Sequence, residues 1–116
     1  MGENETGARF VFVYPNQLKA DKDAFLRIAQ GYGEVRREYI VPSSSVRVED
    51  ITKDNVSSAF GQILKRQQDG EEMRVVLAGF SPLTALVYHV ANELGLRCCY
   101  FIRDGKTQEY LEIAAF

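Results

Sequence analysis

Four short apolar runs rich in β-forming residues recur along this chain, and a helix-patterned stretch separates each from the next. This alternation constrains the fold more than any single residue does. The runs are Arg9 to Tyr14, Val35 to Val41, Arg74 to Ala78 and Arg97 to Ile102. Their composition predicts buried strands. Between them, a helix is expected from about Asp21 to Gln30, with Phe25, Ile28 and Ala29 on its inner face and Gly31 and Gly33 ending it. A second is expected from about Thr52 to Gln68, where Val56, Phe60, Ile63 and Leu64 follow the i, i+4, i+7, i+8 spacing of one helical face. A third runs from Pro82 to Leu94 and is capped by Gly95. Pro42 with Ser43, Ser44 and Ser45, and later Asp69-Gly70, punctuate the series. Asp104-Gly105 signals a tight turn into a final strand, Gln108 to Ala114.

The order β-α-β-α-β-α-β-β implies right-handed crossovers and a mostly parallel sheet. We therefore expect a three-layer α/β domain, Rossmann-like or flavodoxin-like, with strand order 2-1-3-4-5 and an antiparallel C-terminal hairpin strand. A chain of 116 residues makes one such domain, read here as residues 9–116 behind a disordered tail, residues 1–8. Met1 to Thr6 fits a lipidation pattern formally, but it is acidic and lacks a polybasic companion, which favours a tail. A hydrophobic fraction of 46% with 26% charged residues is that of an ordinary soluble domain. The net charge of −2 argues against broad duplex nucleic-acid or membrane-surface binding. No apolar run approaches the length of a spanning helix. Cys98 and Cys99 are adjacent in a strand and so point to opposite faces, which suits reduced packing residues and a cytoplasmic protein.

The third apolar run leads straight into a helix through Val75-Val76-Leu77-Ala78-Gly79-Phe80-Ser81-Pro82-Leu83-Thr84. Ser81 fits the N-cap and Pro82 the first helical position, where its missing N–H and fixed φ cost nothing. That placement leaves the N–H groups of Leu83 and Thr84 outward beside two hydroxyls, an arrangement that attracts phosphates. The plainer reading is that Ser81 only caps its helix. In the expected strand order, strands 1 and 3 are neighbours whose helices leave to opposite faces. Open α/β sheets bind ligands in the crevice at the carboxyl ends of such a pair. Two loops meet there, Pro15-Asn16-Gln17 and Gly79-Phe80-Ser81.

The third helix is apolar on nearly every side, through Leu83, Ala85, Leu86, Val87, Tyr88, Val90, Ala91 and Leu94. Such a helix is buried on more than one face. We expect its second face to meet another subunit, making a homodimer through the helix at about 82–94; the alternative is a deeper position over the sheet.

Several familiar chemistries are excluded. Gly31-Tyr32-Gly33 ends a helix instead of following a strand, so it is no dinucleotide fingerprint. There is no phosphate-binding loop of the nucleotide triphosphatase type and no acidic cluster after strand 1. His89 is a lone histidine among apolar helix residues, so no metal site and no cofactor are expected. Glu34 to Glu38 reads as a solvated strand edge, with Arg36 or Arg37 able to face a ligand. What remains is polar and without strong bases: Asn16, Gln17, Ser43 to Ser45, Ser81 and Thr84, with Arg103 ending strand 4. This set suits a phosphodiester or nucleobase. An RNA-like ligand carries its own nucleophile, the 2′-hydroxyl, so cleavage needs mainly in-line geometry and charge stabilisation.

A first strand followed by a short polar loop, a hydrophobic strand ending in Gly79-Phe80-Ser81-Pro82-Leu83-Thr84-Ala85, and a closing hairpin together resemble the CRISPR-associated Rossmann-fold domains and the small stand-alone CRISPR ring nucleases. The resemblance covers most of residues 9–116 in organisation, and its specific part is the turn from Gly79 to Thr84. It implies binding of a cyclic oligoadenylate, the second messenger of type III CRISPR defence, across a homodimer. It also implies metal-independent cleavage of that ring in some members. Phosphate or ribose contacts are implied for Ser81 and Thr84, with Gly79, Phe80 and Leu83 in the same turn, and further contacts for Asn16 and Gln17. Nothing in the chain matches a catalytic lysine or histidine. The candidate catalytic set is Ser81, with Asn16 and Arg103 to steady developing charge. The alternative is a non-catalytic cyclic-nucleotide sensor or protein-interaction domain, cut from a larger effector.

Overall fold

A computed structural model describes residues 9–17 and 22–114. The tail expected at residues 1–8 and the helix start expected at Asp21 lie outside the described residues. Five strands form one sheet: β1 (Arg9–Asn16), β2 (Val35–Val41), β3 (Glu71–Val76), β4 (Cys98–Arg103) and β5 (Tyr110–Ala114). Their order is β2-β1-β3-β4-β5, parallel throughout except for the antiparallel β4–β5 pair. The helices are α1 (Lys22–Gln30), α2 (Lys53–Arg66) and α3 (Ser81–Glu93). This is the α/β architecture that the alternation predicts. Among the described residues no helix is long and apolar enough to cross a membrane.

Right-handed crossovers place α2 and α3 on one face of the sheet and α1 on the other. Under α2 and α3 lies an aliphatic core in which Val11, Val13, Val56, Phe60, Ile63, Val75, Leu83 and Val87 are buried. Each fully buried side chain of this kind contributes roughly 1.5–3 kcal/mol. The α1 face is aromatic instead. Tyr32 stacks edge-on against Phe10 and Phe12, at centroid distances of 4.9 and 5.3 Å, and Phe101 joins them. Cys98 belongs to the first cluster and Cys99 to the second, as adjacent strand residues must. Burial pushes the thiols up to about 11 and about 12, so both are packing residues with little thiolate character.

Local chemistry sets the helix ends. Thr52 caps α2 by accepting the Asn55 N–H at 3.2 Å, and Lys65 and Arg66 complement the dipole in its last turn. In α3, Leu83, Val87, Val90 and Ala91 are buried and Leu86 and Tyr88 are half-buried against the core. Lys53 of α2 reaches Glu93 of α3 at 3.1 Å, and His89 stands exposed on the outer side.

Some boundaries differ from the sequence reading, each for a physical reason. β3 begins at Glu71, not Arg74, because Glu71 and Glu72 extend the ladder opposite Arg9 and Phe10. Arg36 of β2 holds the Glu71 carboxylate with two donors, at 3.1 and 2.9 Å, and this makes a charged strand start tolerable. β3 also stops at Val76, since the Ala78 N–H turns back to the Val76 carbonyl at 2.9 Å. β1 continues through Pro15 and Asn16, where a loop is expected, and Asn16 pairs with Val41. β5 begins at Tyr110, because Gln108 sits in the turn with φ of 65° and its Nε2 donates to the Gly105 carbonyl at 2.9 Å. A turn of 3₁₀ helix at Val48–Asp50 has no counterpart in the sequence reading. Arg36 and Arg37 are both engaged within the protein: Arg36 is tied to Glu71 and Glu38, and Arg37 stacks 4.1 Å from the Phe25 ring centroid.

Candidate functional site

β1 and β3 are hydrogen-bonded neighbours, and their carboxyl ends carry the two loops that the topology brings together. Asn16, the last residue of β1, is 4% exposed. Its Oδ1 accepts the Phe80 N–H at 2.8 Å, and its Nδ2 donates to the Gln17 carbonyl at 3.2 Å. The β3–α3 loop is thereby clasped to the end of β1. Gly79 makes the clasp possible through lack of bulk. A Cβ there would lie 2.4 Å from Asn16 Oδ1 and 3.2 Å from the Pro15 Cβ.

The helix start differs by one residue from the sequence reading. The N-cap is Phe80, in extended conformation with φ −62° and ψ 121°, and Ser81 is the first helical residue. The Phe80 carbonyl accepts both the Thr84 N–H at 2.8 Å and the Thr84 hydroxyl at 2.9 Å. Thr84 therefore offers neither its N–H nor its hydroxyl proton to a ligand, contrary to expectation. Pro82 has no N–H. Among the described residues, the amides without a partner at this terminus are those of Ser81 and Leu83. Ser81 is exposed, whereas Leu83 is fully buried, amide included, and anchors the helix start in the core, so the Ser81 amide is the open donor of the pair.

The structure thus brings Asn16, Gln17, Gly79, Phe80, Ser81, Leu83 and Thr84 together at the carboxyl ends of β1 and β3. Gln17 is exposed, with its N–H on the Val41 carbonyl at 3.3 Å. The neighbouring Ser43–Ser45 loop satisfies itself, the Ser45 N–H donating to Ser43 Oγ at 3.0 Å. Arg103 is held elsewhere: it ends β4, and its guanidinium donates to Gln108 Oε1 within the hairpin turn. None of the gathered residues ionises. Any preference for anions at the crevice arises from oriented N–H groups and the positive end of the α3 dipole. Among the described residues, no group of three or more His, Cys, Asp or Glu is placed to hold a metal ion, and His89 meets only Glu93, at 3.5 Å.

A second polar centre escapes the sequence reading. On the α1 face, Glu112 of β5 accepts from the Tyr32 hydroxyl and from Arg97 at 3.2 Å, and it lies 3.5 Å from Arg74 Nε. Arg74 is buried, with its guanidinium 5.3 Å from the Phe10 ring centroid. Burial, reinforced by the Glu112 carboxylate, raises the Tyr32 pKa and keeps its phenol protonated. This cluster ties the edge strand to the sheet and to the turn that follows α1. Its partners are 15 to 80 residues apart in the chain, so no local motif announces it. A hollow of about 550 Å³ lies beside it, lined by Arg27, Gln30, Tyr32, Phe101, Gln108 and Tyr110 among others.

The fold defines a Rossmann-like α/β domain. No protein-family model matches the chain, and no curated protein matches it significantly.

Proposed function

We propose that this domain binds a cyclic oligoadenylate, the second messenger of type III CRISPR defence, across a two-fold homodimer whose contact includes α3. The observation that carries this reading is the Gly79–Ser81 loop, clasped by Asn16 where β1 meets β3, with the exposed Ser81 amide unpaired among the described residues. The donors are fixed before any ligand arrives, so no ordering cost falls on them at binding. A ring with its own two-fold symmetry matches two copies of one loop around an axis.

In the catalytic form of this proposal, the Ser81 hydroxyl and amide hold one phosphate. The ring's 2′-oxygen attacks the adjacent phosphorus as it loses its proton, the 5′-oxygen leaves with a proton, and a 2′,3′-cyclic phosphate remains. Positioning and charge stabilisation do the work. Asn16 is a positioning residue here, because its amide is committed to Phe80 and Gln17.

A second reading, a sensor that holds the ring uncut, is favoured by those same commitments. Asn16 and Arg103 are both engaged within the protein, which leaves few groups to steady a developing charge.

Calorimetry with cyclic tetra- and hexa-adenylate, followed by chromatography of the ring in EDTA, tests both readings. We expect binding of one ring per two chains, and slowing of cleavage in Ser81→Ala by roughly a hundredfold. No binding of either ring at tens of micromolar overturns the proposal. Binding without cleavage over hours leaves the sensor.

A further inference from the structure

The hollow of about 550 Å³ between the end of α1 and the β4–β5 turn takes no part in the crevice. It is lined by the rings of Tyr32, Phe101 and Tyr110, with Arg27, Gln108 and Glu109 among its polar groups. Its size lies within the roughly 300–1,000 Å³ of small-molecule sites. Its walls are set before anything enters. The Tyr32 hydroxyl donates to Glu112, which Arg97 also holds, and the Tyr32 ring stands at 84° to Phe101 with centroids 6.0 Å apart. Gln108 has φ of 65°, left-handed backbone that a glutamine adopts only at a cost. Both ends of its side chain are engaged, Oε1 by Arg103 and Nε2 by the Gly105 carbonyl. Strain of this kind persists where neighbouring contacts over-determine it, and it gathers at ligand sites.

Two full charges are left over. Arg27 and Glu109 are exposed and line the same hollow, yet among the described residues neither side chain has an ion-pair or hydrogen-bond partner, and they do not pair with each other. One stands on α1 and the other on the lead into β5. A ligand that answers both carries acceptors on one edge and donors on another, around a flat body that suits aromatic walls. An amino acid, whose two charges share one carbon, meets this less well than a base does. Among nucleobases guanine has the pattern: O6 and N7 accept from an arginine, and N1–H and the 2-amino group donate to a carboxylate. Adenine turns a lone pair at N1 toward the carboxylate instead.

We propose that this hollow binds the base of a guanine nucleotide, with Glu109 on its N1–H and 2-amino donors, Arg27 on O6 and N7, and the purine stacked on the aromatic wall. The site is independent of the cyclic oligoadenylate reading, because the adenines of that ring lack the donor edge.

Calorimetry and amide-resolved NMR with guanosine 5′-monophosphate, and with adenosine 5′-monophosphate as the matched control, test it. Both carry the same phosphate, so a shift at Ser81 common to the two reports on the crevice, and a shift confined to the guanine nucleotide reports on the base. The guanine nucleotide should move the Gly31, Tyr32, Glu109 and Tyr110 amides and bind roughly tenfold tighter than the adenine one. Glu109→Gln should weaken its binding by roughly tenfold, and Tyr110→Ala by at least about fivefold. Glu109 is exposed, so its variant should keep the wild-type melting temperature, which separates a lost contact from a lost fold. A hollow that stays still at millimolar guanine nucleotide, equal affinity for the two nucleotides, or guanine affinity that survives Glu109→Gln overturns the inference.

Discussion

The crevice loops and the β4–β5 hairpin stand at the same end of the sheet and use their residues in opposite ways. At the crevice, the polar groups that the sequence offers to a ligand largely serve the loop itself: Asn16 clasps Phe80, and Thr84 folds back on the Phe80 carbonyl. At the hairpin, Ile102 and Leu111, of a kind that would ordinarily be interior, stand half-exposed. A polar side chain beside a crevice is first a candidate for holding the crevice together. The groups left for a ligand are the amide and the hydroxyl of Ser81.

This contrast can be broken most severely at Gly79. Gly79→Ala forces the Asn16 side chain out of its site and leaves the Phe80 N–H without its acceptor, a combined cost of about 2–4 kcal/mol. Thermal or urea unfolding reads it directly. The penalty should shrink in an Asn16→Ala background, where the nearest clash is gone and only the Pro15 contact remains. Asn16→Ala alone should cost about 1–3 kcal/mol, the range for an orphaned, part-buried donor.

A smaller effect comes from the opposite end of the sheet. Arg66, then Arg36, hold the Glu38 carboxyl below its usual range, and Arg36 does the same for Glu71. A folded pKa below the unfolded one gives stability that is present above the unfolded value, about 4.3, and is lost as pH falls through the folded value. Melting temperature should therefore fall on acidification below about pH 5. It should fall less steeply in a Glu38→Gln, Glu71→Gln double variant, which starts from a lower plateau.

The smallest expected effect separates cap from ligand donor. Ser81 is the first helical residue, and its side chain has no hydrogen-bond partner among the described residues. Ser81→Ala should thus change stability by no more than about 0.5 kcal/mol. A true N-cap would lose about 1 kcal/mol in the same unfolding experiment.

The parts of the fold carried by periodicity were legible in the chain. The strand order followed from the alternation, and the inner faces of α1 and α2 from their spacing. What periodicity does not carry was hidden. β3 starts on two glutamates because Arg36 answers Glu71 from another strand. The N-cap moved from Ser81 to Phe80 because Asn16, 64 residues earlier in the chain, takes the Phe80 N–H. A local motif predicts Ser81 as the cap, and a distant side chain overrules it. The Glu112 cluster was invisible for the same reason. The hairpin patch left a trace in the alternation of Tyr100 with Ile102 and of Leu111 with Ile113, but sequence alone does not tell an exposed apolar face from a buried one.

Amide-resolved NMR on ¹⁵N-labelled protein measures most directly where a ring phosphate would sit. Titrating cyclic tetra- or hexa-adenylate should shift the Ser81 amide resonance first and furthest, with Gly79, Phe80 and Leu83 following and Tyr32 and Tyr110 unmoved. Saturating ring that leaves the Ser81 amide in place, or that moves only residues around the Tyr32–Phe101 hollow, would contradict a ligand site at the switch point.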